Sequence, residues 1–143
     1  MYEKAREYLL GYGIRPSLQR MAVMEYLLTH KTHPTADGIF SALYPSIPTL
    51  SRTTVYNTLS MLAGCGAILT LDLDPQQMHY DGETSPHAHF ICTRCGHIHD
   101  IWPDSEGWRG MLAAAPPPAG ASVTDIQLSY KGLCSACKTH HNN

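Results

Sequence analysis

The sequence predicts an α+β chain in two parts. A helical N-terminal half closes with a β-hairpin, the winged helix-turn-helix arrangement, and a small α/β half pinned by cysteines follows it. Three observations carry this. Helical periodicity with well-placed caps runs through about residue 65; hydrophobicity then alternates with period two over residues 68–81; and two Cys-x-x-Cys pairs flank the short strands beyond.

Tyr2 to Leu10 is a short amphipathic stretch ended by Gly11 and Gly13. Pro16-Ser17 opens a second helix, Leu18 to Thr29, with Met21, Val23, Met24, Tyr26, Leu27 and Leu28 giving a broad apolar face. Thr35 can cap a third helix that buries Ile39, Phe40 and Leu43 before Pro45 stops it. Ser51 caps a fourth, through about Ala63, with Val55, Leu59 and Leu62 on its apolar side. Its other side carries Arg52, Thr53, Tyr56, Asn57 and Ser60, a polar face without acid that suits the edge of a DNA base pair better than plain solvent.

Ile68 to Asp74 and Met78 to Asp81 read as strands joined by Pro75-Gln76-Gln77. These elements define a winged-helix domain over residues 1–82, and Glu83-Thr84-Ser85-Pro86 a hinge over 83–86. The second domain, residues 87–143, is expected to hold strands at His87–Thr93 and His97–Trp102, a helix at Ser105–Ala115 and a third strand at Val123–Tyr130.

Of 143 residues, 43% are hydrophobic and 15% charged, a globular composition. No apolar run approaches the roughly 20 residues that cross a bilayer, so no membrane partner is expected. The charged start, Met1 to Glu7, has no apolar segment of a signal peptide behind it, which reads as cytoplasmic. Net charge is −2, with six Lys/Arg against seven Asp/Glu in residues 1–82. A nucleic-acid surface must therefore be a local patch.

In a reducing compartment, cysteine pairs at short spacing are metal ligands more often than disulfides. Cys92-x-x-Cys95 and Cys134-x-x-Cys137 together supply four thiolates to a tetrahedral Zn²⁺ with no open position, a structural staple for a domain of about 55 residues. A thiol-redox motif, the competing reading, uses one such pair at a helix start. Cys65, outside the set, is expected to be a small buried residue. His87 and His89 lie two apart on a strand and share a face, while Cys92 has the other parity, so one strand can serve two metals. Donors without sulfur suit Fe²⁺, Mn²⁺ or Zn²⁺ rather than Cu⁺. His79, His97, His99, His140 and His141 are expected to be plain surface histidines, and His30 a helix C-terminal one.

The chain resembles the ferric uptake regulator (Fur) family over nearly its whole length. The matching stretches are Gly13-Ile14-Arg15-Pro16 with Gln19-Arg20, His33-Pro34-Thr35-Ala36-Asp37, Thr53 to Leu59, His87 to Gly96, and the second cysteine pair. The resemblance implies a dimeric repressor whose C-terminal α/β domain dimerises. It also implies a regulatory ion, Fe²⁺ or Mn²⁺ or else Zn²⁺, between the domains. In the peroxide-responsive PerR-like branch that site uses three His and two Asp, which fall here on His33, Asp81, His87, His89 and Asp100. There bound Fe²⁺ reacts with peroxide and a ligating histidine, here His33 or His87, is oxidised. A further metal site of other branches is missing: its positions hold Pro86, Ala88 and Asp125.

For DNA, the resemblance implies that Tyr56 and Asn57 reach the base edges of an AT-rich, palindromic double-stranded operator. Arg15 would enter the minor groove, and Arg20, Arg52 and Thr54 would position the backbone. The expected function is a metal-dependent repressor sensing peroxide, with iron, zinc or haem homeostasis as the alternative. A metalloenzyme is disfavoured, because five protein ligands leave at most one open position for water and substrate together.

Overall fold

Four helices and a two-stranded hairpin build the first of two units, Met1–Thr84, in the computed structural model, which describes residues 1–141. Of His140 and His141 only the backbone is described, so the surface role expected of those side chains lies outside the description. Helices α2 (Leu18–Thr29), α3 (Ala36–Leu43) and α4 (Arg52–Gly64) each begin at a hydroxyl that satisfies an otherwise unpaired amide. Ser17 accepts from the Arg20 amide at 3.2 Å, Thr35 from Gly38 at 3.1 Å, and Ser51 from Thr54 at 3.1 Å. The short α1 (Glu3–Gly11) is tied down further along the chain by the Tyr8 hydroxyl, which donates to the Ala67 carbonyl at 2.6 Å.

The apolar faces of these helices meet in one core. Leu9, Val23, Met24, Leu27, Ile39, Val55, Leu59 and Leu62 are all essentially inaccessible to water, and Tyr80 of the hairpin joins them. The hairpin pairs β1 (Leu69–Leu71) with β2 (His79–Asp81), Leu69 opposite Asp81 and Leu71 opposite His79. Its strands are shorter than expected. Asp74 turns the connection by accepting the Gln76 amide at 2.9 Å and facing His79, so residues 72–78 form a loop instead of extending the strands. Just beyond Asp81, Gly82 passes so near α2 that a Cβ there would lie 2.8 Å from the Leu27 carbonyl oxygen.

The second unit, Ser85–Asn143, is built on a three-stranded sheet ordered β4-β3-β5. β3 (Ala88–Cys92) pairs antiparallel with β4 (Ile98–Ile101) across the Cys95-Gly96 turn, where Gly96 takes φ +78°. It pairs parallel with β5 (Ser129–Gly132), which requires a crossover, supplied by α5 (Ser105–Ala114) and the irregular segment after it. Here the third strand departs from expectation: residues 123–128 form no strand, and pairing starts at Ser129. Val123 and Ile126 instead line an apolar cavity of about 340 Å³ with Trp108 and Leu112 of α5, which accounts for their apolar pattern without strand pairing. A last short helix, α6 (Ser135–His141), is absent from the expectations. Among the described residues no helix is long and apolar enough to cross a membrane.

Candidate functional site

Parallel strands leave a sheet at the same end, and this brings the two cysteine pairs together. Cys92 closes β3 and Cys134 follows β5 by two residues, with the Thr93 amide donating to the Gly132 carbonyl at 2.8 Å to fix the shared end. Cys95 comes from the β3–β4 turn and Cys137 from α6. The four sulfurs lie within 4.8 Å of one another, and the Cys95 and Cys134 sulfurs are 3.9 Å apart. An edge of roughly 3.8 Å is what four thiolates at ~2.3 Å from a tetrahedral ion would show, whereas a disulfide needs about 2.05 Å. The arrangement is compatible with a structural zinc. Amides of Cys134 and Cys95 directed at the Cys92 sulfur bring that thiol down to about 5, preparing a thiolate. Cys137, hydrogen-bonded to the sulfurs of Cys134 and then Cys92, is pushed up to about 12. Cys65 departs from expectation: it is exposed at the end of α4, where its thiol donates to the Leu62 carbonyl at 3.4 Å.

The sulfur-free candidates form a pair in one unit and a triad in the other. In the first unit, the His33 Nε2 faces the Asp81 Oδ2 at 3.4 Å, with side chains 4% and 3% exposed. His33 is left-handed, φ +56°, a conformation costing a bulky L-residue about 1–2 kcal/mol. In the second unit, the Nε2 atoms of His87 and His89 face one oxygen, Asp100 Oδ1, at 3.4 and 3.5 Å. Strand parity puts both rings on one side, centroids 4.4 Å apart, and antiparallel pairing sets Asp100 opposite His89. The His87 Nδ1 lies 2.9 Å from the Ser85 carbonyl. A carbonyl only accepts, so this nitrogen carries the proton and the Nε2 lone pair is left for an ion. Trp102 stacks on the same ring at 4.5 Å. Ligands at ~2.1 Å from one ion sit roughly 3.0–3.4 Å apart, close to the separations in both groups. The donors therefore fit a divalent cation that accepts nitrogen and oxygen.

His79 departs from the surface role expected of it. Its side chain is only 14% exposed; its Nδ1 lies 2.6 Å from the His33 carbonyl and its Nε2 3.1 Å from Asp74 Oδ2. The signal was in the spacing, since His79 and Asp81 are two apart on a strand just as His87 and His89 are. His97 and His99 are exposed, as expected, their rings 4.2 Å apart.

The residues proposed to meet DNA lie on the first unit. Tyr56 and Asn57 are exposed on α4, Tyr56 at 47%, and Arg15 is exposed ahead of α2. Arg20, Thr54 and Asn57 line a small pocket of about 180 Å³ between the start of α2 and α4. Arg20 is held there by donating to the Arg15 carbonyl at 2.9 Å. Arg52 is already engaged: it donates to Asp37 at 2.7 Å and lies over the Phe40 ring at 4.6 Å. Both members of that ion pair are more than half exposed, so exchanging Asp37 for a phosphate costs little.

Comparison with known proteins places the chain as a whole. The model of the ferric uptake regulator family matches residues 11–128. The peroxide operon regulator of Bacillus subtilis is 34% identical over 141 residues, covering 99% of this chain and 96% of the relative. Among solved structures, the iron-bound ferric uptake regulator of Francisella tularensis superposes with a TM-score of 0.74 at 26% identity, covering 88% of this chain and 96% of that one. The structure describing peroxide sensing and gene regulation by PerR from Streptococcus pyogenes gives 0.52 at 31% identity, covering 95% and 92%.

Proposed function

Since this chain belongs to the ferric uptake regulator family, we propose that it is a metal-dependent transcriptional repressor that releases its operator in response to peroxide. The relatives named as peroxide regulators support this reading. The observation that carries it is the donor set: histidine Nε2 atoms facing carboxylate oxygens at 3.4–3.5 Å in both units, without sulfur.

In this proposal one ion takes His33 and Asp81 from the first unit and His87, His89 and Asp100 from the second. Neither group alone supplies the four to six ligands that such ions take. The ion's binding free energy then favours one relative pose of the units, and the pose that fits the operator is populated only with metal bound. Fe²⁺ in this site supplies the redox chemistry toward peroxide, whereas Mn²⁺ or Zn²⁺ supplies the charge alone. The chain's own residues hold the donors in register: the Ser85 carbonyl keeps the His87 proton on Nδ1, and Trp102 covers the ring. Zn²⁺ in the four-sulfur cage is the structural ion, tying the ends of β3 and β5.

The partner is double-stranded DNA in the cytoplasm. Asn57 and Tyr56 read base edges in the major groove, while Arg15, Arg20, Arg52 and Thr54 meet the minor groove and phosphates. A homodimer would present two such helices to half-sites about 34–36 Å apart, which makes the operator palindromic.

The test is retention of operator DNA by protein purified without oxygen, loaded with Fe²⁺, Mn²⁺ or Zn²⁺, before and after peroxide. The Fe²⁺ form is expected to bind and then release, and the Mn²⁺ form to stay bound. Release that follows metal removal but not peroxide would assign the chain to metal homeostasis instead.

A further inference from the structure

We propose that His79 is a positioning residue for the regulatory metal centre, fixing the backbone of His33 so that this ligand is aimed before any ion arrives. The inference rests on the reading of His33 as a ligand.

β2 grips His33 at both ends. Residues 79 and 81 project to the same side of a strand. From the first, the ring Nδ1–H donates to the His33 carbonyl at 2.6 Å; from the second, the Asp81 carboxylate meets the His33 ring at 3.4 Å. The neighbouring backbone is secured separately, by the Tyr80 amide donating to Pro34 at 2.9 Å and by a bridge between Thr35 and His79. The His79 ring adds a direct hold on the His33 carbonyl itself, and it is His33 that carries the left-handed φ of +56°. A strained backbone persists only where its surroundings over-determine it.

Behind the ring stands Asp74, its Oδ2 at 3.1 Å from the His79 Nε2 and its Oδ1 accepting the Gln76 amide at 2.9 Å. The ring is thus anchored in the hairpin loop, and a side chain that merely filled space would not need both nitrogens engaged. A ligand held in its bound geometry loses less freedom when the ion binds. Residues supporting a ligand in this way commonly contribute about 10–100-fold to metal affinity.

The experiment measures Co²⁺ affinity and the visible Co²⁺ spectrum on the full chain, the sulfur site being preloaded with Zn²⁺. His79→Leu is expected to weaken Co²⁺ binding by about 10–100-fold while leaving the spectrum at saturation unchanged, because the ligands are the same. His79→Asn, whose amide can still donate to the His33 carbonyl, should restore most of the loss. Unchanged affinity in His79→Leu would overturn the proposal, as would a loss that His79→Asn fails to restore. Should His79→Leu not fold, Asp74→Ala carries the test, since it leaves the ring without its anchor; affinity equal to that of the parent chain would be equally fatal. His33→Ala separates the two layers of the argument: it should alter the spectrum itself, and an unaltered spectrum would refute the ligand reading and not merely the role of His79.

Discussion

In the proposed function Asn57 is the residue on which sequence-specific recognition would turn. It is exposed on α4, next to the exposed Tyr56 and beside the pocket that Arg20 and Thr54 line. An asparagine paired bidentately with adenine is worth about 1–3 kcal/mol of discrimination. Asn57→Ala should therefore weaken binding to the cognate operator by roughly 10-fold or more and barely change binding to random DNA, as read by competition retardation. Equal loss on both would mean that Asn57 touches only the backbone. The histidines show what single residues disclose in sequence. His87 and His89 announce themselves by strand parity, and His79 obeys the same parity with Asp81. Its partners are what hide it, a carbonyl 46 positions away and an aspartate in a loop that closes only in the folded hairpin. Cys65 departs from its expected burial for a related reason: cysteines are usually buried, but this one is the C-cap of α4, next to Gly66, and is exposed there.

At the scale of elements, α4 joins the face proposed to meet DNA to the core through one helix. Val55, Leu59 and Leu62 are buried on one side while Tyr56, Asn57 and Ser60 face out on the other. Leu59→Ala should cost about 2–5 kcal/mol of stability, measured by urea denaturation of the metal-loaded protein. A cost near zero would mean that the helix does not pack as described. The helices of the first unit were legible because their determinants are local: Ser17, Thr35 and Ser51 cap them, and the apolar spacing names the buried face. Elements fixed by distant partners were less so. The strand expected at Val123–Tyr130 begins instead at Ser129, because parallel pairing to β3 sets its register while Val123 and Ile126 line a cavity with Trp108 and Leu112 of α5. In α6, seven residues carrying two histidines offer no apolar period to read.

At the scale of the whole molecule, the proposed function gives two candidate ion sites different tasks. The four-sulfur cage ties the chain beyond β5 to the β3–β4 turn, and a unit this small depends on such a staple. Cys95→Ser should unfold the second unit and abolish dimerisation, seen as lost zinc content and a monomeric mass in solution; a folded, dimeric variant would remove the cage from the account. This site was legible in full from its spacing. Of the sulfur-free donors, the residues alone disclosed only His87 and His89, and the other three came through family resemblance. His33 lies in the loop between α2 and α3, Asp81 in β2 and Asp100 in β4, and no local pattern connects them.

In the proposed function one ion, held by His33 and Asp81 together with His87, His89 and Asp100, makes the protein competent for DNA. Operator affinity measured as a function of Mn²⁺ concentration for His33→Ala and His89→Ala, one substitution in each unit, tests it most directly. Both variants should bind the operator no better with Mn²⁺ than the parent chain does without it. A variant of either kind that keeps the full metal-dependent gain in affinity would contradict the claim.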